Sequence, residues 1–144
     1  HLEHRRQRQM CIRDSLISAA VSLILAQRLA RKTCPNCRVP DEDITPKALA
    51  DFGFTVEQAS RAKVQKGGGC SQCKDSGYKG RMGIYEILSV SKPIKEAILR
   101  KATTPELKEI ATKEGFRTMQ DMGRELILTG DLNFREFDRV LSSE

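Results

Sequence analysis

Apolar residues recur at helical spacing through most of the chain, and capping and stopping residues bracket each stretch. Between Ser15 and Arg31, Leu16, Ala20, Leu23 and Ala30 fall on one side of a helix, with Ile17, Val21 and Ile24 on an adjoining side. Ser15 or Asp14 can cap its start, while Arg28, Arg31 and Lys32 suit the negative end of its dipole. An apolar surface that broad implies burial in a larger body. Thr45 followed by Pro46 opens a second helix that Gly53 stops, and Thr55 with Gln58 reads as a capping box for a third. The period then changes: Met82 to Leu88 reads as a strand, with Ile84, Tyr85, Ile87 and Leu88 as its strong formers.

The remainder is helical. Ser91 precedes Pro93 and an apolar set at Ile94, Ala97 and Ile98; Thr104-Pro105-Glu106 opens a helix that Gly115 closes. Thr118 starts another, with Met119, Met122 and Leu126 inward and Gly130 beyond its end. Asn133 with Glu136 reads as a capping box for a last helix carrying Phe137, Val140 and Leu141. The fold class is α+β and mostly helical.

With 144 residues, 39% of them apolar, the chain has material for one modest core. Its longest nearly uncharged stretch, Ser15 to Gln27, is shorter than the ~20 residues a membrane-spanning helix needs. Twenty-five Lys and Arg against 19 Asp and Glu give a net charge of +6. No G-x-x-x-x-G-K-[ST], G-x-S-x-G or H-E-x-x-H motif occurs, and both histidines, His1 and His4, lie at the N-terminus. No residue is singled out as catalytic or as binding an organic cofactor. Residues 1–15 are basic, polar and unpatterned, and read as a junction segment rather than the opening of a natural domain.

Cysteine spacing adds the chemistry. Cys34-Pro-Asn-Cys37 and Cys70-Ser-Gln-Cys73 are two C-x-x-C pairs separated by 32 residues, with Cys11 left over. An odd count without a secretory signal argues against a disulfide framework. Two C-x-x-C turns, beside Pro35-Asn36 and Gly67-Gly68-Gly69, fit a structural zinc site in which Cys34, Cys37, Cys70 and Cys73 close a tetrahedron of thiolates. Arg31, Lys32, Arg38, Lys66, Lys74, Lys79 and Arg81 lie near these cysteines in sequence and could offset the −2 charge of such a centre. The same cations would contact phosphates in a stand-alone zinc-ribbon nucleic-acid module. Against that reading, Asp41, Glu42, Asp43, Asp51 and Glu57 interrupt them, and only Phe52, Phe54 and Tyr78 are near enough to stack on bases. A redox dithiol protein is the third reading.

Three separated motifs carry a resemblance. Ala26-Gln27-Arg28-Leu29-Ala30-Arg31-Lys32-Thr33-Cys34-Pro35-Asn36-Cys37 resembles the AQRL-x-R-x-x-C-x-x-C stretch of the type II secretion and type IV pilus assembly ATPases, the GspE/PilB family. Gly69-Cys70-Ser71-Gln72-Cys73, followed by Gly77-Tyr78-Lys79-Gly80-Arg81-Met82-Gly83-Ile84-Tyr85-Glu86, is similar to that family's GC-x-x-C-x-x-x-G-Y-x-GR-x-GIYE. Thr118 to Val140, with Asp121, Gly123, Gly130 and Glu136, looks like its C-terminal helical end.

The resemblance implies a C-terminal fragment of a hexameric traffic ATPase. Residues 16–33 would be the last helix of a RecA-like motor core and 34–76 a tetracysteine subdomain. Residues 77–92 would be a strand returning to the core, and 93–144 a C-terminal helical bundle. The Walker motifs, acidic and histidine boxes and γ-phosphate arginines of the family lie upstream and are missing here, so ATP and Mg²⁺ belong to the parent protein. Implied partners are neighbouring subunits of a homohexamer and the inner-membrane platform protein of a secretion or pilus machine, with no nucleic acid. The implied location is cytoplasmic, held at the inner membrane through partners. Arg81 and Glu86 are expected to form a surface ion pair or docking contacts, and Tyr78 and Tyr85 to pack. Loss of a metal cysteine is expected to loosen 33–76 and leave the helices after Pro93 formed.

Overall fold

The computed structural model describes Leu16 and residues 18–142; the junction segment at 1–15 lies outside the described residues. In order, the elements are β1 (Leu23–Thr33), β2 (Arg38–Pro40), α1 (Pro46–Asp51), α2 (Val56–Arg61), β3 (Gln65–Gly67), a 3₁₀ turn (Ser71–Cys73), β4 (Tyr78–Ser89), α3 (Lys92–Leu99), α4 (Thr104–Lys113), α5 (Met119–Thr129) and α6 (Phe134–Leu141). β1 pairs with β4, and β2 pairs antiparallel with β3 in the register Arg38↔Gly67, Val39↔Lys66, Pro40↔Gln65. The α+β class holds.

The long helix expected up to Arg31 does not form. Helical backbone among the described residues stops at Ala20, and β1 takes over at Leu23. The run Leu23-Ile24-Leu25 satisfies either period, so a partner strand decides the outcome. Toward the end of β1 the strand period shows: Arg28, Ala30 and Lys32 are more covered than Leu29 and Arg31. The strand expected at Met82–Leu88 is present and starts earlier, at Tyr78.

The caps form largely as their residues dictate. Thr45 accepts from the Ala48 amide, and Thr55 and Gln58 make a full capping box. Thr118 boxes with Asp121, and Gly130 ends α5 in the left-handed region. α4 is capped by Thr103, one residue before the expected start. At α6 only half of the expected box exists. Asn133 accepts from the Glu136 amide, but the Glu136 carboxylate turns elsewhere.

Two compact units result. One contains 86–117 and the described residues up to Ala26. Its small core is Val90, Ile94 and Ala111, packed by Val21, Leu88, Ile98, Leu107, Ile110 and Phe116. Ser91 caps α3 and lies 2.7 Å from a carboxylate oxygen of Glu114, beyond the end of α4. The other unit contains 27–85 and α5–α6. Its core joins Ala30 and Ile84 of the long strands, Leu49, Phe54, Ala59 and Val64 of the inserted loop, and Met119, Ile127, Leu132, Phe137, Val140 and Leu141. Phe52 of the loop packs edge-on to Phe134 and Phe137, ring centroids 4.6 and 6.0 Å away. The helices after Pro93 are therefore divided: α3–α4 have their own core, whereas α5–α6 share one with the cysteine-bearing loop.

Candidate metal centre

The four paired cysteines stand where β1 ends and β4 begins. Cys34 follows β1 directly, its amide bonded to the Gly77 carbonyl at 3.0 Å, and Cys37 immediately precedes β2. Cys70 caps the 3₁₀ turn and Cys73 is its last residue. The chain then reverses through Lys74 and Asp75, both at positive φ, to enter β4. Cys34 and Cys73 are buried, Cys37 and Cys70 partly exposed, and all four are free thiols.

All four Sγ atoms lie within 4.8 Å of one another. Cys34–Cys70 and Cys37–Cys73 are 3.8 Å apart, and Cys70–Cys73 are 3.6 Å apart. A tetrahedral ion with metal–sulfur bonds of about 2.3 Å requires sulfur–sulfur edges of about 3.8 Å. The thiols thus fit a closed tetrathiolate site for a metal ion, with no position left for substrate.

Backbone groups meet the sulfur charge. The amides of Cys70 and Gly77 each approach Cys73 Sγ at 3.3 Å. A hydrogen bond from the Asn36 side chain lowers the Cys70 thiol to about 6. Burial opposes ionisation of Cys73, but the Gly77 and Cys70 amides outweigh it and its pKa falls. Cys37 is pushed up to about 12, by burial first and then by its neighbouring thiols. Four adjacent sulfurs cannot all ionise without a cation among them.

The nearby cations are mostly occupied elsewhere. Arg31 binds Glu136, Arg38 binds Asp131 at 2.8 Å, Lys66 sits between Asp41 and Asp43 at 3.7 and 3.6 Å, and Lys79 reaches Gln72 at 3.5 Å. Sequence proximity suggested thiolate partners; folding instead gave these side chains carboxylates and an amide. Arg81 and Glu86 do not pair among the described residues, because an odd spacing along β4 places them on opposite faces. Tyr78 packs as expected: its ring carries Arg31 at 4.1 Å and its hydroxyl accepts from Asn133 at 2.9 Å. Asn36 and Gly77 serve the site without having been singled out for it. In the sequence Asn36 is marked only as a turn former and Gly77 only as a member of the G-Y-x-GR motif, and neither mark points to the sulfurs.

A helical and stranded scaffold that brings four cysteine sulfurs to tetrahedral spacing defines a module able to hold a metal ion. The chain belongs to the Type II/IV secretion system protein family, whose model matches residues 4–139. It is 35% identical over 127 residues to the type IV pilus assembly ATPase PilB of Myxococcus xanthus, covering 88% of this chain and 22% of that protein. It is 36% identical to PilB of Thermus thermophilus, covering 89% of this chain and 14% of that protein. It is also 40% identical over 93 residues to the type II secretion system protein E of Aeromonas hydrophila, covering 65% of this chain and 18% of that protein. The chain thus spans less than a quarter of the length of each of these relatives. No helix among the described residues is long and apolar enough to cross a membrane.

Proposed function

We propose that this chain is the zinc-binding carboxy-terminal part of a hexameric ATPase that powers type II protein secretion or type IV pilus assembly. The observation that carries the reading is the set of four sulfurs at tetrahedral spacing, at the junction of β1 and β4, in a chain of this family. Zinc suits an all-thiolate, four-coordinate site better than the oxygen-seeking cations. Cys34, Cys37, Cys70 and Cys73 are the ligands and their role is structural. The ion fixes the mouth of the inserted loop, so that the strands on either side keep their spacing while the motor moves.

In this reading a RecA-like motor core holds ATP and Mg²⁺ outside these residues. Neighbouring subunits and an inner-membrane platform protein receive the motion, which keeps the assembly cytoplasmic and peripheral to the membrane. Relatives of both the pilus and the secretion kind match, so both export tasks remain within the proposal. The ion pairs of Arg31, Arg38 and Lys66 weigh against a phosphate-binding ribbon. The test is metal analysis of the reduced protein purified without chelators. One equivalent of zinc supports the reading; substantially less defeats it.

A further inference from the structure

Gly77 touches both cysteine pairs without being a ligand. Its carbonyl accepts from the Cys34 amide at 3.0 Å and its N–H reaches Cys73 Sγ at 3.3 Å. It holds this position at φ +80, and the Gly67 backbone presses against it. A Cβ on Gly67 would stand 2.1 Å from the Gly77 carbonyl oxygen and 2.5 Å from its Cα; one on Gly77 would stand 2.8 Å from the Gly67 oxygen. Gly67 ends β3, in register with Arg38, the residue after Cys37. Next to it, the Gly68 amide donates to the Cys37 carbonyl at 2.9 Å. On the other side of the crossing, the Ser76 hydroxyl donates to the Cys73 carbonyl at 2.6 Å.

From these contacts we infer that the backbone crossing of Gly67 and Gly77 sets the metal affinity of the tetracysteine centre, with Gly77 as a positioning residue that holds the two C-x-x-C turns at tetrahedral spacing. The inference rests on the metal-centre reading. Two chain segments meet with no side chain between them, so the hairpin that follows Cys37 and the turn that follows Cys73 keep one separation. Any Cβ at the crossing must widen it. The sulfur edges then leave the length that a single ion can bridge, although all four ligands remain. Outer-shell contacts of this kind typically change metal affinity by about 10–100-fold.

The experiment uses the full reduced chain, stripped of metal and titrated with Co²⁺, with zinc affinity read by chelator competition. Gly77→Ala and Gly67→Ala are compared with Gly80→Ala. Gly80 lies in β4, three residues after Gly77, at φ +78 with nothing near its Cβ position, so its variant carries left-handed strain without the crossing. Wild type and Gly80→Ala should show the thiolate-to-cobalt absorption of one tetrahedral site. Gly77→Ala and Gly67→Ala should lose about 10–100-fold in zinc affinity, with an altered cobalt spectrum. Affinities within about twofold of Gly80→Ala, well below an outer-shell effect, would overturn the inference. So would failure of both variants to fold at saturating zinc, which would make the crossing a folding element instead. A wild-type chain that takes up no Co²⁺ would sink the metal-centre reading itself, which separates the two failures.

Discussion

Arg31 in β1 and Glu136 in α6, 105 positions apart, are joined by three hydrogen bonds. The Arg31 amide donates to Oε1 at 3.0 Å, and Nε and Nη2 donate to Oε2 at 3.1 and 2.8 Å. Glu136 is fully buried, and Arg139, one turn on, also binds its carboxylate. This pair ties the strand leading into Cys34 to the last helix. Replacing the Arg31 side chain would leave a buried carboxylate short of two donors, with the backbone N–H and Arg139 remaining. Arg31→Met, which keeps the apolar stem, should cost about 3 kcal/mol or more. Glu136→Gln, which frees two half-exposed guanidinium groups to rehydrate, should cost less, about 2 kcal/mol. Urea titrations of the two variants check the order as well as the size.

The same carboxylate fixes a pH dependence. Burial alone would raise the Glu136 pKa, but the hydrogen bonds of Arg139 and Arg31 lower it from 4.5 to about 2. A carboxyl group depressed on folding stabilises the fold above its unfolded pKa, and that contribution is lost as pH falls toward the folded value. Stability should therefore drop between about pH 4.5 and 2. Asp121 and Asp131 shift in the same direction. Urea midpoints followed downward through that range should fall less steeply for Glu136→Gln than for wild type; equal slopes would refute the assignment.

The half of the architecture that was legible in the sequence is the half set by neighbours. Thr55 with Gln58, and Thr118 with Asp121, cap helices through bonds three residues long, so the residues declare the element. The cysteine quartet was legible because C-x-x-C is itself a local turn. Glu136 was misjudged for the converse reason: i,i+3 spacing to Asn133 suggested a reciprocal cap, while a guanidinium 105 residues away made the stronger bond. β1 failed likewise, since Leu23-Ile24-Leu25 suits two periods and its partner strand lies beyond the entire metal loop. The Gly67–Gly77 crossing has no one-dimensional signature at all.

Metal removal should act on one unit only. The loop between Cys34 and Gly77 shares its core with α5 and α6, through Leu49, Phe54, Ile127 and Phe137 among others, while α3 and α4 pack on Val90, Ile94 and Ala111. Chelation, or Cys34→Ser, should thus lower hydrogen-exchange protection in the loop and in α5–α6 together, and leave α3–α4 protected. The sequence alone suggested that every helix after Pro93 would survive; the shared core revises this. Protection retained in α5–α6 after metal loss would show the core to be independent of the centre.

Nucleotide chemistry is expected to be missing from this chain on its own. Phosphoryl transfer needs a glycine-rich nest of free amides, a lysine on the phosphates and a hydroxyl on Mg²⁺. The sequence Lys66-Gly67-Gly68-Gly69 has some of these residues in reversed order, and the structure commits them. Lys66 lies between Asp41 and Asp43, Gly67 is in β3, and the Gly68 amide is bonded to the Cys37 carbonyl. Cys70, where a P-loop would continue, belongs to the sulfur cluster. Isothermal titration of the 144-residue chain with Mg–ATP should accordingly give no saturable micromolar site, and a phosphate-release assay no turnover. A saturable site would mean that groups outside the metal loop hold a triphosphate; Arg28 and Arg81 would be the first to substitute.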